Sequence, residues 1–203
     1  PMSMHTDVLI VGAGPAGLSL AISLAHAGRQ VTVLGQQSEA QLAQPAPDGR
    51  EIALTHPSVQ TLQRLGTWQL LQPHELGMIR DAIVHDGPVG QRATLDIMAE
   101  GSGSEFLGRI VPNHALRRTA WEVASTTDGI TLITNARVSR VDTFSTHAQV
   151  HYTTEHNGVR VDAAPRQAPL VVAADSRYSA VRRMLGVGAQ MSDFGRSVIV
   201  CRL

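Results

Sequence analysis

Apolar residues alternate with glycine-rich breaks in a pattern that changes character along the chain. Residues 7–11 read Asp-Val-Leu-Ile-Val and are closed by glycine. An unbroken apolar run of this length predicts a parallel strand buried on both faces. Over residues 15–27 the composition shifts to Ala, Leu and Ile, with Leu18, Ile22 and Ala25 at helical spacing and Gly28 just past the predicted helix end. Residues 30–34 form a second short, β-branched strand. Strand, glycine turn, helix and strand within about thirty residues make one right-handed βαβ crossover.

Further on, residues 35–50 are polar and rich in Gln, Ala and Pro, and read as a loop. Residues 57–65 read as a helix, with Val59, Leu62 and Leu65 on one side. The runs at 82–85, 93–98 and 106–111 are short and strand-like, separated by glycine turns that include Gly101-Ser102-Gly103, and predict an antiparallel insert. A second helix is expected over 113–124 and a strand at 130–134. Runs at 137–141, 148–152 and 159–162 then read as a meander, and residues 170–174 as a further apolar strand. Asp175 follows it directly, with a short helix over 179–185. The final run, 197–203, reads as a strand that stops with the sequence, the pattern of a truncated chain. The predicted fold class is α/β: a Rossmann-like βαβ domain with a parallel central sheet, a β-meander and fragments of a β-rich second domain.

Composition narrows the function classes. With 203 residues, 43% of them hydrophobic and 17% charged, the chain has material for a real core. Formal net charge is zero, so there is no basic field for nucleic acid or an anionic membrane. The single cysteine, Cys201, excludes an internal disulfide frame, and no Cys/His cluster has zinc-ligand spacing. These features, with no bilayer-length apolar segment and no signal-peptide pattern, point to a cytoplasmic protein, with peripheral membrane contact left open.

The candidate chemistry starts at Gly12-Ala13-Gly14-Pro15-Ala16-Gly17, a G-x-G-x-x-G placed directly after a strand and before a helix. Gly12 permits the tight turn, Gly14 lets the backbone approach a pyrophosphate, and Gly17 allows helix to pack on strand. Pro15 sits in the first helical turn, where a missing N–H costs little. The free amides there, Ala16 among them, and the helix dipole stabilise phosphate charge. The acidic residue that usually chelates the ribose hydroxyls at the end of the second strand is missing. Gly35 stands there, with Gln36 offering a single hydrogen bond and Glu39 lying further along the loop. No basic residue replaces it, so a 2′-phosphate is not favoured.

Three segments together resemble the FAD-dependent aromatic-ring monooxygenases of the para-hydroxybenzoate-hydroxylase type, and within them the ubiquinone-biosynthesis hydroxylases. The first is the glycine turn. The second is Asp48-Gly49-Arg50-Glu51-Ile52-Ala53-Leu54 with the helix leading to Leu65-Gly66-Thr67-Trp68; the third is Asp175-Ser176-Arg177-Tyr178-Ser179-Ala180-Val181-Arg182. The resemblance implies that Arg50 contacts FAD, a role suited to a planar guanidinium, although an exposed loop arginine fits the sequence too. It implies that Asp175, Ser179 and Arg182 belong to a fingerprint serving FAD and the nicotinamide cofactor, with Ser176 in place of the usual glycine. Asp175 equally suits a helix N-cap. By a weaker match Asn113, with Arg117 nearby, faces the flavin's phosphate side, where a solvated helix face is the alternative.

What the resemblance implies is hydroxylation of an aromatic ring, with a prenylated ubiquinone precursor as substrate and O2 and NAD(P)H consumed. Residues 1–75 and 110–190 would form the FAD domain, and 76–109 and 191–203 part of a substrate domain. The family's Gly-Asp motif is expected beyond Leu203, so the chain alone is not expected to hydroxylate. A dehydrogenase or reductase on the same fold, or a non-catalytic dinucleotide-binding fragment, are the other readings. Of the nine histidines, His56, His85, His114 and His151 are scattered with no nucleophile beside them, and the flavin chemistry asks little acid or base of the protein.

Overall fold

The computed structural model describes residues 5–88, 90 and 93–199. Contacts divide the chain into two units, one built from residues 1–46 and 117–203, the other from residues 47–116.

In the first unit, β1 (Val8–Val11) leads through the glycine turn into α1 (Pro15–His26), then β2 (Val31–Leu34) and a short α2 (Glu39–Ala43). Every residue of β1 and β2 is buried, as the apolar run of β1 requires, and the one polar residue of β2, Thr32, shares a hydrogen bond of 2.9 Å with the Thr6 hydroxyl. Helix α1 buries Leu18, Ala21 and Ile22, while Ala25 is only half-buried. The chain leaves the helix through Gly28 at φ +76°, a left-handed conformation open to glycine.

The second unit holds β3 (Glu51–Leu54), α3 (His56–Leu65), β4 (Gly77–Ile79), β5 (Asp81–Asp86), β6 (Ala93–Met98) and β7 (Gly108–Pro112). Strands β3 and β4 flank β7 antiparallel, and β5 pairs with β6 as a separate hairpin. The run expected at 106–111 therefore begins at Gly108 and joins β3 and β4 instead of the hairpin. Gly108 makes this possible, because a side chain there would press on the carbonyl of Leu54. Leu71, Val111, Ala115 and Leu116 form the local core, with Ile52, Leu62 and Trp68 packed on it.

Helix α4 (Asn113–Thr126) contains the boundary between the units. Back in the first unit come β8 (Ile130–Ile133), β9 (Arg137–Thr143), β10 (Ala148–His156), β11 (Val159–Asp162), β12 (Arg166–Ala168), β13 (Leu170–Ala173) and α5 (Ala180–Met184). A four-stranded parallel sheet runs β13-β1-β2-β8, with Val11 opposite both Leu34 and Ala173. The meander forms a second, antiparallel sheet in which β10 carries β11 and β12 along one edge and β9 on the other. Leu9, Val11 and Leu34 from the parallel sheet pack with Val141, Val150, Tyr152 and Val181 in one core. The α/β class with a parallel sheet and a meander is therefore the observed architecture.

Two expectations need correction. The loop predicted over 35–50 contains α2, nucleated by Ser38: its hydroxyl accepts the Gln41 N–H at 3.3 Å, and the Gln41 side chain accepts the Ser38 N–H at 3.0 Å. This reciprocal cap stabilises a helix that composition alone does not predict. The strand expected at 197–203 does not form over 197–199, and residues 200–203, Cys201 among them, lie outside the described residues.

Candidate functional site

The parallel sheet brings the glycine turn after β1, the end of β2 and the residues after β13 to one edge, the carboxyl ends of neighbouring strands. That is where open α/β sheets hold ligands. A cavity of about 300 Å³ opens there, lined by Gly12, Gly14, Gln36, Gln37, Asp175 and Arg183, among others.

Each glycine of the turn does a separate job. Gly12 sits at φ +119°, and a Cβ on it would overlap the carbonyl of Ala174, where the chain runs against the end of β13. Gly17 would likewise overlap the Gly12 carbonyl, so α1 rests directly on the turn. At Gly14 the conformation is ordinary and extended, with nothing within 4 Å of where a Cβ would project. That open space is where a ligand's phosphates would approach. Helix α1 starts with no side-chain cap, and the amides of Ala16 and Gly17 make no hydrogen bond among the described residues. Unspent donors at the positive end of a helix dipole make an anion site. Pro15 takes the first helical position as predicted.

The ribose end is closed off differently. Gly35 is buried, extends the sheet by donating to the Ile133 carbonyl at 2.8 Å, and accepts from Ala136 N–H at 2.8 Å. A Cβ there would lie 2.8 Å from the Cβ of Ala13. The missing acid is thus matched by an alanine in the turn that occupies its space. Gln36 and Gln37 are the polar side chains that remain, both exposed on the cavity wall.

After β13, Asp175 is largely committed to α5. Its Oδ1 accepts the Ser179 hydroxyl at 2.6 Å, and its Oδ2 accepts the amides of Ala180 at 2.7 Å and Val181 at 3.3 Å. Burial pushes its carboxyl up, but the Ser179 hydroxyl and the backbone N–H groups outweigh this and leave it below the usual carboxylate range. The N-cap position expected for Asp175 belongs to Ser179, and Asp175 accepts the first two helix amides from its place on the cavity wall. Ser179 closes the cap by accepting the Arg182 N–H at 3.0 Å. Arg182 itself turns away, donating from Nη1 to the Val187 carbonyl at 2.6 Å, and its neighbour Arg183 lines the cavity instead. Ser176 needs no left-handed backbone, since among the described residues the non-glycine positions in the left-handed region are Asn135 and Asn157.

In the second unit Arg50 and Asn113 converge on Asp48. Arg50 is exposed and donates to Asp48 Oδ2 from Nε at 2.9 Å and Nη2 at 2.6 Å, while Asn113 donates to the same oxygen at 2.7 Å. Asn113 is buried, which removes the solvated-face alternative for that residue. The Arg50 guanidinium, ahead of the opposing cost of burial and with help from Asn113, holds the Asp48 carboxyl down to about 2. Asp48 is a site residue to which the family resemblance assigns no role; the signal for it is the spacing Asp-Gly-Arg, in which a glycine at φ +71° folds the carboxylate back on the arginine. No histidine lines the cavity; His56 meets the Phe106 carbonyl at 3.0 Å and His151 meets Asp142 at 2.9 Å. A larger cavity, about 490 Å³, opens beside the opposite end of β1 against His5, Thr6 and Arg166 and contains none of the predicted site residues.

The profile of the FAD binding domain family matches residues 5–200. The chain belongs to that family. Its cofactor is FAD, and the cradle at Gly12, Gly14 and Gly17 has the free amides and the open approach that the pyrophosphate of FAD requires. Among curated relatives, ubiquinone hydroxylase UbiM of Neisseria meningitidis is 41% identical over 204 residues, covering 100% of this chain and 42% of the relative. Ubiquinone hydroxylase UbiL of Rhodospirillum rubrum is 34% identical over 96% of the chain and 42% of its own length. The 3-demethoxyubiquinol 3-hydroxylase of Escherichia coli is 28% identical over 96% of the chain and 47% of its own length. The chain thus spans less than half the length of these relatives. Among solved structures, p-nitrophenol 4-monooxygenase PnpA of Pseudomonas putida superposes with a TM-score of 0.70 at 22% identity, over 90% of this chain and 44% of that one, a likeness of fold. No helix among the described residues is long and apolar enough to cross a membrane.

Proposed function

We propose that this FAD-binding chain serves a monooxygenase that hydroxylates an aromatic ring, with a prenylated ubiquinone precursor as the substrate class and O2 and NAD(P)H as co-substrates. The observation that carries the reading is the 41% identity to a ubiquinone hydroxylase over the whole length of the chain. Bound FAD supplies the redox chemistry, taking electrons from the nicotinamide and activating O2. The chain's own part is to hold and orient the cofactor. Gly12, Gly14, Pro15, Ala16 and Gly17 carry the pyrophosphate, Gln36 gives the ribose one hydrogen bond, and Asp175, Ser179 and Arg182 keep the fingerprint segment in shape beside it. The FAD contacts of Arg50 and Asn113 rest on the family resemblance.

In this reading residues 1–75 and 110–190 serve the FAD domain and 76–109 and 191–203 the substrate domain. A prenylated substrate is a lipid, so the proposal includes a cytoplasmic protein working at the inner membrane surface or within a biosynthetic complex.

The test is oxygen transfer by the complete protein as the cell makes it. With labelled O2, one labelled oxygen is expected in the product ring by mass spectrometry. Substrate oxidation with no oxygen gained supports a dehydrogenase or reductase instead. A colourless protein whose Tm does not rise with added FAD supports a non-catalytic module.

A further inference from the structure

We infer that Asp48 is a positioning residue for FAD binding, fixing Arg50 and Asn113 against each other before the cofactor arrives. The inference rests on the FAD-contacting role proposed for Arg50. Both oxygens of the carboxylate are used. Oδ2 takes the three side-chain donors from Arg50 and Asn113, and Oδ1 accepts the Arg50 backbone N–H at 3.1 Å. The main chain repeats the connection, since Asn113 N–H donates to the Arg50 carbonyl at 2.9 Å. A loop before β3 and the first residue of α4 are thereby joined across 65 positions of sequence.

An exposed ion pair two residues apart would ordinarily order little. This one differs because its third member, Asn113, is buried. Without the carboxylate a buried amide loses its acceptor, which costs more than the pair itself contributes. The arrangement also leaves the arginine usable. Nε and Nη2 are held by Asp48, while Nη1 has no partner among the described residues. A guanidinium gripped along one edge and open at the other keeps a fixed plane for a second anion, and less rotamer entropy is lost when a phosphate docks. Asp48 therefore acts through Arg50, with no need to touch FAD.

The test is a double-mutant cycle on the complete protein, reading FAD affinity by quenching of flavin fluorescence and folding by the Tm without FAD. D48N is expected to weaken FAD about tenfold, the scale of one charge-assisted hydrogen bond. In the R50Q background the same change is expected to add less than about twofold, because coupled residues are not additive. D48N that binds FAD like the wild type overturns the inference. So does an equal loss in both backgrounds, which would make Asp48 a merely structural residue. R50Q with unchanged affinity overturns the FAD role of Arg50 and this inference with it, so the two failures are distinguishable. If D48N does not fold, D48E takes its place: it keeps the charge, displaces it by one methylene, and is expected to weaken FAD severalfold only while Arg50 is present. Unchanged affinity for D48E overturns the inference as well.

Discussion

Gly17 rests directly on Gly12: a single added methyl on Gly17 would occupy the space of the Gly12 carbonyl oxygen. Gly14, three residues earlier, faces open space. The two glycines therefore fail in opposite ways. Gly17→Ala is expected to cost about 2–3 kcal/mol by overpacking, and so to lower the Tm by about 5–10 °C in a chain of this size. Gly14→Ala is expected to keep the Tm of the cofactor-free protein and to lose FAD affinity, because its Cβ enters the approach path. Thermal melts and FAD titration of both variants check this. Equal loss of Tm in the two would contradict the division of roles.

The βαβ unit was legible in the sequence because burial on both faces leaves β1 wholly apolar and β2 with Thr32 as its one polar residue, and because strand and helix register differ plainly. Helix α2 was not, since its stability comes from one reciprocal cap between Ser38 and Gln41 inside a stretch whose composition reads as loop. Strand β12, three residues between Pro165 and Pro169, exists only through its pairing with β10, which no local pattern encodes. At the site, the glycines were readable because backbone geometry selects them. The choice between Arg182 and Arg183 on the cavity wall was not: it turns on the Val187 carbonyl that captures Arg182.

Ala13 and Gly35 form a matched pair, 2.8 Å apart if Gly35 carried a Cβ. Gly35→Glu restores an acid at the ribose end but meets a methyl that must move. Alone it is expected to cost about 1–3 kcal/mol. Combined with Ala13→Gly it is expected to recover part of that loss and to hold FAD more tightly than the wild type, through a charged acceptor for the ribose hydroxyls. Tm and FAD affinity of the single and double variants decide the matter. A fully stable Gly35→Glu single variant would show that Ala13 does not constrain this position.

Asp48 makes stability depend on acid in a defined window. Arg50 holds its folded-state carboxyl at about 2, against an ordinary value of 3.8. A depressed carboxylate contributes stability that is present above the unfolded value and is lost as pH falls through the folded one. D48N has no such group. The Tm difference between wild type and D48N is therefore expected to hold steady above about pH 5 and to shrink between about pH 4 and pH 2. Melts in a pH series test this. A difference that stays constant down to pH 2 would mean that the carboxylate's charge contributes nothing to the fold.

Ser179 joins the cavity wall to α5 by donating its hydroxyl to Asp175 and accepting the Arg182 N–H with the same oxygen. Ser179→Ala removes both bonds while leaving the backbone amides of Ala180 and Val181 on the carboxylate. Losing an N-cap of this kind costs about 1 kcal/mol, borne locally by a helix of five residues. The burial that pushes the Asp175 carboxyl up persists, and the first of the hydrogen bonds opposing it is gone, so that carboxyl is expected to titrate at higher pH than in the wild type. The expected readouts are an upward shift of Asp175 in a carbon-detected NMR titration and faster hydrogen exchange at the Arg182 amide. The stability that the depressed carboxyl contributes above its unfolded value shrinks accordingly. An unmoved titration with intact exchange protection at Arg182 would mean that Asp175 caps α5 through the backbone alone and that Ser179 is not needed to hold the wall in place.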